Sequence, residues 1–221
     1  MAEIILVRHG QASFGADDYD KLSDLGWQQS RWLGEYFAER GIAFDRVIRG
    51  SLRRHAETLA GIAEGLGRKL GGEEDARLNE YDSHALLRAH LGDKPLPAPG
   101  DRRAHFRILR EALYGWCDGT LDCAGTHPPF ADFRGGVVAA LDAARAGAAK
   151  RVLVVSSGGP ISTILAEVLR MPARGVVELN LQTRNTGITE LRAGASRVHF
   201  VSFNNVPHLD RPDRTGALTY S

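Results

Sequence analysis

Ile4-Ile5-Leu6-Val7-Arg8-His9-Gly10-Gln11-Ala12-Ser13 joins a run of branched apolar residues to a cation, an imidazole and a glycine. The apolar run reads as a buried parallel strand, because a strand covered on both faces shows no polar alternation. In open α/β sheets, ligands bind beyond the C-terminal ends of the strands. An arginine beside a histidine at such a place suits an anionic group attacked by a nitrogen nucleophile. A lone Arg-His-Gly is more simply a surface pair closing a strand. The functional reading therefore needs the rest of an anion site from elsewhere in the chain.

Outward from this stretch, strand-like and helical runs alternate. Ser23 can cap a helix running to about Arg40, stopped by Gly41. Val47-Ile48 belongs to a short strand. Leu52 to Leu66 reads as a helix ended by Gly67, and Glu80 to Leu91 as a further helix. Residues 92–100 carry three prolines and two glycines and break both periods. Helices follow at about Arg102–Tyr114 and Phe130–Ala146, then the strand Arg151-Val152-Leu153-Val154-Val155. Pro160 sits well at the start of a helix running to Arg170. Late strands are expected near Val176–Leu181, Gly187–Leu191 and Val198–Phe203, and a loosely held polar tail from Arg211. Strands separated by helices imply a three-layer α/β/α sandwich with a mostly parallel central sheet. With no repeat and no linker, residues 1–221 read as one domain, with 92–129 as an inserted lid.

The 221 residues are enough for a sizeable core, and 43% hydrophobic with 25% charged residues is ordinary for a globular chain. A formal charge of +1 gives no reason to expect nucleic acid or an anionic membrane as a partner. Cys117 and Cys123 lie in no metal-binding or redox spacing, so two reduced thiols and no metal are expected. No signal-peptide pattern opens the chain, and no run approaches the roughly 20 apolar residues of a membrane span. A soluble, cytoplasmic protein is the expectation.

Four further segments supply candidate anion chemistry. Gly50-Ser51-Leu52-Arg53-Arg54-His55-Ala56-Glu57-Thr58 opens a helix, where free N–H groups, the dipole and arginines add up. Alone, it reads equally as an exposed basic helix start. Arg77-Leu78-Asn79-Glu80-Tyr81-Asp82 brings carboxylates to a helix start, where dipole capping is a strong competing explanation. Ser157-Gly158-Gly159-Pro160 is a glycine-rich turn between strand and helix, suited to holding an anion with backbone N–H groups. Arg184-Asn185-Thr186-Gly187 is a polar turn into a strand, and by itself a simple hairpin turn.

In this order, from Arg8 to about Leu209, the segments resemble the histidine phosphatase superfamily, the phosphoglycerate mutase-like fold. The resemblance implies a phosphomonoester hydrolase working without metal or cofactor on a small phosphorylated substrate. His9 would take up the phosphoryl group as a phosphohistidine. Arg8 and Arg54 would hold its oxygens, as an always-charged, two-pronged guanidinium suits. Glu80 would protonate the leaving oxygen and then help activate water, with Asp82 as second choice. Gln11, Ser13, Ser157 and Gly158 would complete the phosphate pocket. The oligomeric state stays open, a homodimer being one option.

The chain departs from the family at Ser157, where a second histidine is usual. A serine can donate one hydrogen bond but carries no charge. Losing charge assistance is worth roughly 1–2 kcal/mol, about one to one and a half orders of magnitude in rate. Ser157→His is accordingly expected to raise turnover. No other histidine replaces the missing one by motif; His84 and His127 could enter the pocket from the helix after Glu80 and from the lid, but each reads more simply as a surface residue. The rival reading is a phosphate-ligand sensor that keeps the fold without catalysis. Retention of both His9 and Glu80 argues against it, and a mutase has no independent sign. Specificity is expected in the lid, where Arg102, Arg103, His105, Arg107 and Arg110 form either a solvated helix face or a site for a second anionic group.

Overall fold

The computed structural model describes residues 1–13, 20–98, 100–194 and 196–220; the polar loop expected after the first strand continues through 14–19, outside the described residues. β1 (Ala2–Arg8), β2 (Arg46–Arg49), β3 (Glu73–Glu74), β4 (Arg151–Ser156), β5 (Ile188–Ala193) and β6 (Val198–Asn205) form one sheet in the order β3-β2-β4-β1-β5-β6. β1 pairs in parallel with β4, β4 with β2, and β2 with β3. β5 runs antiparallel to β1, and β6 antiparallel to β5. The change of sense has a simple origin. Only a tight connection, closed by Gly194 N–H donating to the Arg197 carbonyl at 2.8 Å, separates β5 from β6, and a parallel return would need a crossover.

The period-2 geometry of β1 and β4 sorts their side chains into two cores. Ile5, Val7, Leu153 and Val155 pack against Leu33 and Phe37 of α1 (Asp24–Glu39) and Leu59 and Ile62 of α2 (Arg53–Leu66). Ile4, Leu6, Val152 and Val154 pack on the other face against Val137 and Leu141 of α5 (Phe130–Arg145) and Ile161 and Ile164 of α6 (Gly158–Val168). Each such buried aliphatic side chain contributes roughly 1.5–3 kcal/mol. This is the expected three-layer sandwich. α1 and α2 touch backbone to backbone: a Cβ on Gly65 would lie 2.0 Å from the Arg31 carbonyl oxygen, and one on Gly34 2.2 Å from that of Ile62. That close approach fixes where the first turn of α2 sits over the end of β1.

A third cluster joins Leu86 and Leu87 of α3 (Ser83–Leu91), Leu109, Leu113 and Trp116 of α4 (Arg102–Cys117), and Val176 and Val177 of α7 (Gly175–Asn180). The strand expected at Val176–Leu181 is thus a helix. Its N–H groups bond back along the chain, Glu178 to the Arg174 carbonyl and Leu181 to that of Val177. A short apolar run does not distinguish the two states by pattern, and burial of the paired valines against α4 decided it. The helix expected from Glu80 begins at Ser83, because Ala76–Leu78 form a 3-10 turn and Asn79 leaves it extended. The tail expected to be loose is docked. The Gln29 amide donates to the Ala217 carbonyl at 2.7 Å and to Thr219 Oγ1 at 2.9 Å, and Ala217 is buried.

Candidate active site

β1 and β4 end side by side, with Arg8 in register with Ser156, and the His9 N–H donates to the Ser156 carbonyl at 2.9 Å. The Asn185-Thr186-Gly187 turn braces this end. Thr186 N–H donates to the Arg8 carbonyl at 3.1 Å, and the Asn185 amide to the His9 carbonyl at 3.1 Å. Thr186 adopts φ 55°, a costly region for a β-branched residue, and is held there through its hydroxyl by Asn185 and His208. The turn, a simple hairpin when read by itself, braces the backbone of Arg8 and His9.

His9 is buried, and its Nδ1 lies 2.7 Å from the Gly10 carbonyl oxygen. A carbonyl only accepts, so Nδ1 carries the proton and Nε2 keeps its lone pair. Burial first, then Arg54, Arg8 and His55, hold the His9 pKa well below its ordinary value. Burial thus favours the neutral ring, with its lone pair on Nε2. Gly10 passes close under α1: a Cβ there would lie 2.5 Å from the Gly26 carbonyl oxygen.

The same turn ties α2 to β1. Thr58 Oγ1 accepts from Gly10 N–H at 3.0 Å and donates to the Arg54 carbonyl at 2.7 Å. Arg54 is buried at the first turn of α2, and its Nη1 donates to Asp20 Oδ1 at 2.7 Å. Arg8 reaches the Thr183 and Tyr220 carbonyls, at 2.5 and 2.7 Å. Both arginines act electrostatically on His9 and on Glu80, which places them around one centre.

Glu80 joins that centre from the segment between the 3-10 turn and α3. Its carboxylate accepts from Gly159 N–H at the start of α6, at 3.0 and 3.3 Å. Burial raises its pKa above the ordinary carboxylate range, against the opposing pull of Arg54 and Arg8. Gly159 lets the carboxyl group come this close, since a Cβ would lie 2.1 Å from Glu80 Oε1. Asp82, the second choice for the acid, caps α3 instead by accepting from Ala85 N–H at 3.0 Å.

Of the remaining candidates, Ser157 and Gly158 are buried at the start of α6, where the first N–H groups have no intrahelical acceptor. Gln11 turns its Oε1 to Ser23 at the N-cap of α1, at 2.9 Å, and Ser13 is bound through its N–H to the Lys21 carbonyl. His84 is exposed; His127 accepts from Asp82 N–H and stands edge-on to Trp116. The histidine that does reach the centre is His55. It is fully buried, its Nε2 lies 2.7 Å from Ser157 Oγ, and its ring centroid stands 5.8 Å from that of His9. Sequence reasoning placed it in a basic helix start and passed over it. The available signal was its position directly after Arg54.

Arg103, Arg107 and Arg110 are exposed on α4, a solvated face, and the side chain of Arg102 lies outside the described residues. Trp116 is core. Two clefts lie elsewhere: one of about 920 Å³ beside Tyr36, Arg184 and Leu218, and one of about 580 Å³ beside Trp116 and Met171. The site is thus defined by its chemistry. Among the described residues, no helix is long and apolar enough to cross a membrane, and no three His, Cys, Asp or Glu cluster as metal ligands would.

The family model of the histidine phosphatase superfamily (branch 1) matches residues 4–91 and 101–206, and the chain belongs to that superfamily. Among solved structures, it is similar to a phosphoserine phosphatase mutant from Entamoeba histolytica in complex with phosphoserine, with TM-score 0.66 and 21% identity over 95% of this chain and 100% of that one. It is also similar to a putative alpha-ribazole-5'-P phosphatase from Escherichia coli, with TM-score 0.65 and 19% identity over 93% of this chain and 98% of that one. A 57-residue stretch is 42% identical to the mitochondrial serine/threonine-protein phosphatase Pgam5 of Drosophila grimshawi; it spans 25% of this chain and 20% of that relative.

Proposed function

We propose that the protein hydrolyses phosphomonoesters through a phosphohistidine on His9. The observation that carries this reading is the Nδ1 contact to the Gly10 carbonyl, which leaves a neutral Nε2 lone pair beside two arginines and a carboxyl group. Nε2 attacks phosphorus as the ester P–O bond breaks, and Glu80 gives its proton to the leaving oxygen. The raised Glu80 pKa favours the protonated form that this step needs. Glu80, now ionised, then takes a proton from the water that breaks the P–N bond, and both groups return to their starting states. Arg8, Arg54 and the α6 N-terminus supply the positive charge around the transferred group, so the reading calls for no metal.

A phosphate-ligand sensor would need neither the tautomer held at His9 nor a carboxyl group poised at Glu80. The test incubates the protein and His9→Ala with para-nitrophenyl phosphate and a panel of small phosphate esters. Wild-type turnover with loss in His9→Ala, and an acid-labile, base-stable phosphoenzyme, are expected. Indistinguishable proteins that still bind phosphate would leave the sensor reading in place.

A further inference from the structure

We infer that His55 is a positioning residue that acts through Ser157, the two together taking the place of the imidazole expected at position 157. The inference rests on the proposed phosphatase reading and concerns how the phosphoryl group is held there. α2 begins at Arg53, so its first turn delivers Arg54 and His55 together to the end of β1. β4 and the start of α6 deliver Ser157 to the same point. Both side chains are fully buried and meet at 2.7 Å, and the two histidine rings stand 5.8 Å apart at 41°.

The pair is built rather than incidental. Ser157 occupies the N-cap of α6 yet makes no side-chain cap bond, which a serine there ordinarily does. Its hydroxyl is committed to His55 instead. Room for the ring comes from Gly50, where a Cβ would lie 2.2 Å from His55 Nδ1. Nδ1 itself is buried without a hydrogen-bond partner, although the Gly50 carbonyl lies on that side. An apolar side chain would fill the same space without burying that polar atom.

The relay requires one direction of this bond, set by phosphoryl binding against the pull of the Gly50 carbonyl, which taken alone would favour a proton on Nδ1. With the proton on Nε2, His55 donates to Ser157 Oγ, and the serine proton is free to point at a phosphoryl oxygen. The opposite tautomer would draw the serine proton away and aim lone pairs at the anion. The chain His55–Ser157–phosphoryl therefore runs donor to acceptor throughout, each bond polarising the next, and no proton changes hands. Burial, then Arg54 and Arg49, push the His55 pKa down to about 3, consistent with a neutral relay. The arrangement also reverses the expectation for Ser157→His. The His55 ring already occupies the space beside position 157, so a second imidazole there is crowded.

The experiment is a double-mutant cycle with one swap, read as kcat and KM on an alkyl phosphomonoester. His55→Ala and Ser157→Ala should each lower kcat about tenfold, the worth of one hydrogen bond, with KM nearly unmoved. The double alanine variant should be no slower than Ser157→Ala, since a residue acting through Ser157 has nothing left to act on. His55→Gln, which keeps a donor at the Nε2 position, should recover part of the loss. Ser157→His alone should fall, and His55→Ala with Ser157→His should exceed both of its singles. Wild-type kcat in His55→Ala, or additive losses in the double variant, would overturn the relay while leaving the phosphatase reading intact. Should wild type turn over no ester, that reading fails separately, and the same cycle is scored on inorganic phosphate binding, where additive losses again refute the relay. Should His55→Ala not fold, His55→Gln and the swap carry the same comparison.

Discussion

Glu80→Gln separates proton transfer at this side chain from its structural role. Glutamine keeps an oxygen to accept from Gly159 N–H at the 3.0 Å contact, and it is neutral, like the protonated acid it replaces. Because burial already disfavours the Glu80 carboxylate, the substitution should leave the melting temperature unchanged or slightly higher at neutral pH. What disappears is the transferable proton. Positioned acids contribute typically about 10²–10⁴ in rate, or roughly 2.7–5.5 kcal/mol. The loss must depend on the leaving group. Nitrophenolate departs as a stable anion, whereas an alkoxide needs the proton. We expect kcat/KM, which reports phosphorylation of His9, to fall by about 10²–10⁴ on an alkyl ester and by less than about tenfold on para-nitrophenyl phosphate. Hydrolysis of the phosphohistidine should slow as well, so nitrophenol should appear in a burst. The pH profile gives a second reading. Wild-type kcat/KM on the alkyl ester should fall as pH rises through the elevated Glu80 pKa, and Glu80→Gln should lack that limb. Equal losses on the two esters, or an unaltered pH profile, would refute the assignment of Glu80 as the acid.

Asp82→Ala should cost about 1 kcal/mol in stability through the lost α3 cap, with alkyl-ester kcat within about twofold of wild type; a large kcat loss would return Asp82 to candidacy. Gly159→Ala should push Glu80 aside and lower kcat/KM by about 10²-fold or more, since a displaced catalytic group costs that much; a wild-type rate would mean Glu80 has room to spare. His208 is buried with its pKa pushed down to about 3, by burial first and Arg214 second. Its folded pKa lies below the unfolded value of about 6.5, so its contribution to stability is full above that pH and shrinks as pH falls, by up to about 1.4 kcal/mol per unit. His208→Gln should therefore flatten the decline of the urea midpoint between about pH 6 and pH 4, and parallel curves would rule this out.

Some of this molecule was written locally in the chain. The apolar runs Ile4–Val7 and Val152–Val155 are strands because they are covered on both faces, and the helix stops at Gly41 and Gly67 follow from left-handed backbone at φ 60° and 70°. The order of Arg8-His9-Gly10, Arg54, Glu80 and Asn185-Thr186-Gly187 was enough to point to the superfamily. Where local pattern and burial disagreed, burial prevailed. Val176 and Val177 form a helix because α4 and α6 give their side chains an apolar seat. In sequence, Glu80 ranked above Asp82 only by its place in the family resemblance. Two residues of backbone turned one toward Gly159 and the other into a helix cap.

The sequence by itself determined the layers and the superfamily, and it singled out His9 as the candidate nucleophile and Ser157 where the family usually has a histidine. Those depend on residue type and on neighbours a few positions away. Only the tertiary structure decided what stands behind Ser157. His55 and Ser157 are separated by 102 positions, on a helix and a strand end that meet because α1 and α2 touch backbone to backbone over the sheet. No periodicity encodes such a contact. It comes into being when the layers close.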